Sequence, residues 1–290
     1  MTIQDVSYNL GMSWNTVKEI QKNYLEKHYS KPRLKSVRYI AIDEFAVQKG
    51  HKYMTVVYDL EAGRAIYISE GRESENLNRF WKRIKSSGAK LEAIAMDMWP
   101  AYIKSVIDSN TKAEVVFDKF HIIRKMNEAL DETRRRLYRE ETELNKRKLV
   151  KGLRWLLLKK EDNLDVSKDE KKHLEEALKV NQPLAQAYYL KEELSFLWKQ
   201  KNADESEKFL TDWVARARAT TIQPLIKFGN MLLSHRTGIF NWYKHRISTG
   251  PLEGFNNKIK VLKRKAYGYR DNYFFKLKIY ALHETRYALL

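Results

Sequence analysis

The stretch Val37-Arg38-Tyr39-Ile40-Ala41-Ile42-Asp43-Glu44-Phe45-Ala46-Val47 decides how this chain is read. It is rich in β-branched and aromatic residues, so it predicts a strand. Two more strand-like runs follow it. His51 to Leu60 alternates Tyr53, Thr55 and Val57 with Met54, Val56 and Tyr58, the period of a pleated strand. Arg64 to Ser69 is the third run. Lys49-Gly50 and Ala62-Gly63 supply turn chemistry between them. The period then changes. Glu75 to Ser86 sets Leu77, Phe80, Trp81 and Ile84 on one helical face. Leu91 to Met96 is a short apolar strand, and Trp99 to Ser109 is a helix with Pro100 in its first turn, where proline is tolerated. Ala113 to Phe117 is another strand, and a long helical pattern begins near Lys119.

The resulting order, β-β-β-α-β-α-β-α, predicts an α/β fold. Antiparallel strands are followed by helix-linked ones in a mixed sheet, with helices on its faces. This is the strand order of the ribonuclease-H-like fold. From about Met126 to His245 charged residues alternate with Leu, Trp and Tyr at helical spacing, as in Val180 to Leu197 and Asp204 to Thr220. Asn181-Gln182-Pro183 and Gln223-Pro224 punctuate that region. It reads as a large all-helical insertion whose apolar stripes are core. At the start, Ile3 to Leu10 and Trp14 to Leu25 are short helices around Gly11-Met12-Ser13, with Ser13 as N-cap. That is helix-turn-helix spacing, whose second helix would enter a major groove, and equally that of a plain helical hairpin. The expected division is 1–34, a partial helix-turn-helix and linker; 35–125, the first part of a core; 126–245, the insertion; and 246–290, the C-terminal helices of the core.

The chain of 290 residues carries a formal net charge of +18 and no cysteine. The charge points to a polyanion such as DNA, RNA or an anionic membrane surface. It is concentrated: Gly254 to Leu290 holds nine Lys/Arg against two Asp/Glu, and His121 to Lys160 thirteen against six. Such runs are commonly solvated helix faces, and two of them in a chain this basic favour nucleic acid. Apolar stretches such as Trp155 to Leu158 are far shorter than the ~20 residues a spanning helix needs. Met1 to Leu10 lacks the basic start and apolar middle of a signal peptide. The lack of cysteine excludes disulfides and cysteine-based zinc sites and is consistent with a cytoplasmic protein.

Three carboxylates are the candidate chemistry. Asp43 lies in or just past the first strand and Asp97 ends the fourth, where ligands gather in sheets of this class. Either acid alone would serve as well to cap a turn or helix. Two on neighbouring strands would meet within bridging distance of a metal. Ser248-Thr249-Gly250-Pro251 reads as a helix start, with Glu253 in the first turn, a position that also favours the helix dipole. Glu253, Asn257, Lys260 and Arg264 share one side of that helix, and Leu252, Phe255, Ile259, Leu262 and Ala266 the other. Asp43, Asp97 and Glu253 with waters and substrate oxygens would make an all-oxygen octahedral site for Mg²⁺, with Mn²⁺ as a substitute. Two such ions ~4 Å apart would activate the attacking oxygen and stabilise the leaving one in an in-line displacement.

Asp43-Glu44-Phe45-Ala46-Val47 with Lys49-Gly50-His51, Met96-Asp97-Met98-Trp99-Pro100-Ala101-Tyr102, Phe117-Asp118-Lys119-Phe120-His121, Gly250-Pro251-Leu252-Glu253-Gly254-Phe255-Asn256-Asn257-Lys258-Ile259-Lys260 and the closing Lys263-Arg264-Lys265-Ala266-Tyr267-Gly268-Tyr269-Arg270 resemble the signature blocks of ISL-three-type bacterial insertion-sequence transposases. The resemblance spans about residues 3 to 285. It implies a DDE transposase with a ribonuclease-H-like catalytic domain and a helical insertion before the last acid. Asp43, Asp97 and Glu253 match the metal-binding triad. Asp118 and His121 resemble an Asp-x-x-His pair; Asp118 ends the last strand and is for that reason the runner-up metal ligand, while His121 either touches DNA or braces its helix. Family members usually carry an N-terminal cysteine-rich zinc module and a complete helix-turn-helix; this chain has neither and reads as N-terminally shortened.

The expected activity is therefore DNA transposition: metal-dependent cleavage at the ends of an insertion sequence, then attack of the freed 3′-hydroxyl on target DNA. Double-stranded DNA is the expected partner, and synapsis of two ends implies a homodimer in action. His121, Arg124, Asn257, Lys260, Lys263 and Arg264 are the expected DNA contacts, and Trp99 and Trp242 either stack on bases or belong to the core. The alternatives are a nuclease without strand transfer and a DNA-binding regulator that does not cut.

Overall fold

A computed structural model describes residues 2–48 and 52–283. The chain divides into two compact units, residues 1–116 with 247–290, and residues 117–246. The expected turn at Lys49-Gly50 and the start of the second run at His51 lie outside the described residues.

The first unit begins with α1 (Ile3–Leu10) and α2 (Trp14–Tyr29). Thr2 and Asp5 form a reciprocal capping box on α1, and Gly11 ends it in the left-handed conformation (φ 61°). Ser13 caps α2 by accepting from the Thr16 N–H. Strands β1 (Tyr39–Gln48), β2 (Lys52–Asp59) and β3 (Arg64–Glu70) form an antiparallel meander. A 3-10 turn over Ser74–Leu77 leads into α3 (Asn78–Ser87). The single helix expected from Glu75 thus starts as a tighter turn over Ser74–Leu77 before continuing as α3. Then come β4 (Ala93–Met96), α4 (Pro100–Asp108) with proline in its first turn, and β5 (Glu114–Phe117). The sheet order is β3-β2-β1-β4-β5, with β4 parallel to β1. The five-stranded mixed sheet is the α/β layer read from the sequence.

Alternation along the strands gives the sheet two dry faces. On one, Phe45, Met54, Val56 and Ala95 pack under α14 (Gly250–Lys265) and α15 (Asn272–Tyr280), through Leu252, Phe255, Ile259, Phe275 and Ile279. The apolar side predicted for α14 is this buried side, with one correction. Ala266 is exposed, because the helix has already ended at Lys265. On the other face, Tyr67 meets Phe80 of α3, and Thr55 meets Tyr102 of α4. The Trp81 indole N–H donates to Ser105 at 2.7 Å and ties α3 to α4. Leu25 of α2 packs with Phe274, Leu277 and Ala281, so α2 is built onto α15.

The second unit is helical among its described residues apart from Phe117, the last residue of β5. It contains α5 (Lys119–Glu140), α6 (Leu144–Gly152), α7 (Arg154–Leu158), α8 (Glu170–Lys179), α9 (Gln182–Leu194), α10 (Ala203–Ala219), α11 (Gln223–Ser234), α12 (Arg236–Phe240) and α13 (Trp242–His245). α5, α9, α10 and α11 form its centre. Trp213 is fully buried there, stacked edge-on to Phe228, and its indole N–H donates to the Leu190 carbonyl at 2.9 Å. That bond satisfies the one polar group of a large apolar side chain. Lys191 is also buried and donates to the Lys159 carbonyl at 2.6 Å.

Candidate active site

β1 and β4 run side by side in parallel, and Ile42 is the partner of Met96. Asp43 and Asp97 are the next residues on each, so the register brings the two acids to one end of β4. Asp43 shares its side of β1 with Ala41 and Phe45, the side covered by α14 and α15. Both acids are half-buried. Asp97 accepts the Met98 N–H at 2.6 Å. Asp43 accepts at both oxygens: Oδ1 from the Glu44 N–H at 2.8 Å, and Oδ2 from the Asn256 amide Nδ2 at 2.9 Å.

Asn256 belongs to α14. Glu253 lies three residues before it, so the two stand one above the other on neighbouring sides of the helix. Glu253 is exposed and Asn256 is buried. Among the described residues no group of three or more His, Asp or Glu side chains is close enough to hold a metal ion. What is gathered is a pair of acids with an amide from the helix that carries the third. The ligand atoms that the two acids offer a metal are all carboxylate oxygens, and the Asn256 Oδ1 is buried without a hydrogen-bond partner. In kind, that set suits a hard divalent cation such as Mg²⁺.

The other face of β1 carries a second polar group. The Tyr102 hydroxyl donates to Glu44 Oε2 at 3.0 Å and lies 3.2 Å from the Thr55 hydroxyl, which donates to the Gly71 carbonyl at 2.8 Å. Burial, reinforced by the Glu44 charge, pushes the Tyr102 phenol far above its ordinary pKa. It therefore remains a donor. The Arg72 guanidinium is held 4.4 Å from the centre of the Tyr53 ring and 4.6 Å from that of Trp99, with a Glu44 oxygen at 4.0 Å. Trp99 also donates its indole N–H to the Arg72 carbonyl at 3.3 Å. Trp99 therefore braces an arginine beside Glu44.

Asn257, Lys260 and Arg264 line the exposed side of α14. Lys260 donates to the Asn257 amide oxygen at 3.2 Å, and Lys263 reaches back to the Ala46 carbonyl at 3.5 Å. Asp118, His121 and Arg124 belong to the helical unit. Asp118 is buried and caps α5, accepting the Phe120 N–H at 2.7 Å. His121 is half-buried against the Phe120 ring, and Arg124 is exposed and 4.0 Å from Glu128. Trp242 is half-buried, with the Arg246 guanidinium 4.1 Å from its ring centre.

Sequence reasoning named Asp43, Asp97 and Glu253 but passed over Asn256, Glu44, Arg72 and Tyr102. A signal for Asn256 was present. Position 256 follows Phe255 on the packed side of an amphipathic helix, and an amide there requires a polar partner.

Residues 40–279 match the family model of the ISL3-type DDE transposases, described as transposase. Among similar proteins, the transposase for insertion sequence element IS1001 of Bordetella parapertussis is 35% identical over 285 residues, covering 96% of this chain and 69% of that protein. The transposase for insertion sequence element IS1557 of Mycobacterium tuberculosis is 25% identical over 286 residues, covering 90% of this chain and 64% of that protein. The chain belongs to the ISL3-type DDE transposase family of bacterial insertion sequences.

Proposed function

We propose that this chain cuts DNA at the ends of an insertion sequence and joins the freed 3′ end to target DNA. The reading rests on one observation above the rest: Asp43 and Asp97 are set side by side by strand register, and Asn256 of the Glu253 helix is bonded to the first of them. We take the sheet with α14 and α15 as a ribonuclease-H-like catalytic core, split by the helical region of about 126–245. The helix pair at 1–34 is the partial helix-turn-helix. Asp43, Asp97 and Glu253 would hold Mg²⁺, or Mn²⁺ in its place, with Asp118 the next candidate. Bound divalent ions would lower the pKa of the attacking water and offset charge on the leaving oxygen.

The remaining work falls to side chains. Asp43 and Asp97 supply fixed negative charge at the end of β4, with the Glu44 and Met98 N–H groups orienting their carboxylates. Asn257, Lys260 and Arg264 present an amide and two cations along one helix side, spaced to follow a phosphate backbone away from the reacting bond. Lys263 on α14, and His121 and Arg124 in the helical unit, are further candidate DNA contacts. Phosphate contacts of this kind set position rather than sequence preference. Among the described residues no helix is long and apolar enough to cross a membrane. Double-stranded DNA in the bacterial cytoplasm is the substrate, and two copies of the chain act together when two ends are paired.

A strand-transfer assay on end-containing oligonucleotides with Mg²⁺ tests the proposal. Joined product is the expected result. Cleavage without joining would replace transposition by a nuclease. Binding that is unaffected by Asp97→Asn, with no cleavage by the wild type, would leave only a regulator. Asp43→Asn, Asp97→Asn and Glu253→Gln should each abolish cleavage at unchanged or higher DNA affinity. Substantial activity in any one of them removes that residue from the site.

A further inference from the structure

Asn256 is 4% exposed, wedged between α14 and the sheet. A buried amide has a donor end and an acceptor end, and both need partners. The donor end has Asp43 Oδ2 at 2.9 Å. The acceptor end, Oδ1, is buried and has none. The way round is settled by charge, since turning the amide over would set its oxygen against a carboxylate oxygen. A leucine of similar volume would fill the same space and remove the unmet amide oxygen, but it would also take away the donor to Asp43 Oδ2. The position therefore holds an amide with one end unmet, and it holds it with the other end bonded to a candidate catalytic acid.

The Asp43 carboxylate shows what that group does. Its two oxygens accept from different directions, Oδ1 from the adjoining backbone and Oδ2 from a helix more than 200 residues further along the chain. A bond to the neighbouring N–H leaves the carboxylate plane able to swing about it. A second bond at the other oxygen fixes the plane. Resting on the reading of this site as a DNA-cleaving one, we infer that Asn256 is its positioning residue. The amide holds Asp43 facing the end of β4 that carries Asp97, and its unpartnered oxygen would accept a hydrogen bond from a donor that the cation brings to the site. Because Asn256 and Glu253 are one turn apart on α14, the same bond sets how far the third acid stands from the pair.

The test is Asn256→Leu, which keeps the volume and removes both polar ends. Thermal unfolding should show one cooperative transition, as in the wild type, with the loss of the donor to Asp43 set against removal of the unmet Asn256 oxygen. Its affinity for a short DNA duplex in chelator should be unchanged. Calorimetric titration with Mn²⁺ on the duplex-bound protein should show binding weakened ~10–100-fold, the usual effect of losing a group that orients a metal ligand. Cleavage should fall at limiting Mn²⁺ and recover as Mn²⁺ is raised. Mn²⁺ binding equal to wild type would overturn the inference while leaving the functional reading in place. A wild type that takes up no Mn²⁺ would overturn the functional reading and the inference together. Should Asn256→Leu fail to fold, Asn256→Ala is put through the same titrations, with the same outcomes deciding.

Discussion

Tyr102 carries two jobs in one side chain. Its ring fills the space between α4 and the sheet, and its hydroxyl satisfies Glu44 and lies against Thr55. Tyr102→Phe keeps the packing and removes the donor to a charged acceptor. It should destabilise the protein by roughly 1–3 kcal/mol, read as a shift in urea midpoint at unchanged slope. Gly238 is the comparable position in the helical unit. A methyl group placed there would come within 2.5 Å of the Phe117 ring. Gly238→Ala should therefore cost about 1–3 kcal/mol by overpacking, measurable in the same way. Neither contact was legible in the sequence. Tyr102 and Glu44 are 58 positions apart, and Asn256 and Asp43 are 213 apart. Periodicity reports which face a residue occupies and nothing about which residue faces it from another element. Asp43 and Asp97 were legible because the strand ends that carry them are local features.

At the scale of elements, α14 shows why the sequence could be read so far. Its polar side is solvated and its apolar side buried, so a single turn-by-turn pattern fixed its rotation. The 3-10 entry to α3 and the exposure of Ala266 escaped, because both lie at helix ends, where capping rather than periodicity decides. The junction of α2 and α15 is held differently. Asp271 accepts the Phe274 N–H and pairs with Lys22 at 2.9 Å and Lys18 at 3.0 Å. Burial alone would raise its pKa, but the Phe274 N–H and the two lysines outweigh it and hold the carboxyl well below the usual range. A depressed folded-state pKa means that the stabilisation is complete above the ordinary aspartate value of ~4 and is lost as the pH falls below it. Hydrogen exchange across α2 should therefore lose protection as the pH drops through that window. Asp271→Asn should show lower protection at neutral pH and little further change on acidification; an unchanged acid response would remove Asp271 from that role.

For the whole molecule, the excess of positive charge sets how it meets a polyanion. With a net charge of +18, DNA affinity should fall steeply with salt. Lys260 projects from the exposed side of α14, so Lys260→Ala should weaken binding to all duplexes alike and lower the slope of log affinity against log salt by about one. A change confined to one DNA sequence would mean that Lys260 reads bases instead. The two-unit division has a further consequence, in the order of synthesis. The first unit is built from residues 1–116 and 247–290, with the helical unit encoded between them. A ribosome therefore makes Asp43 and Asp97 more than 150 residues before it makes Glu253 and Asn256. A nascent chain released early carries two acids and no helix to complete them. On the proposed function, the site we assign is therefore incomplete in any partial chain that stops before α14 begins at Gly250.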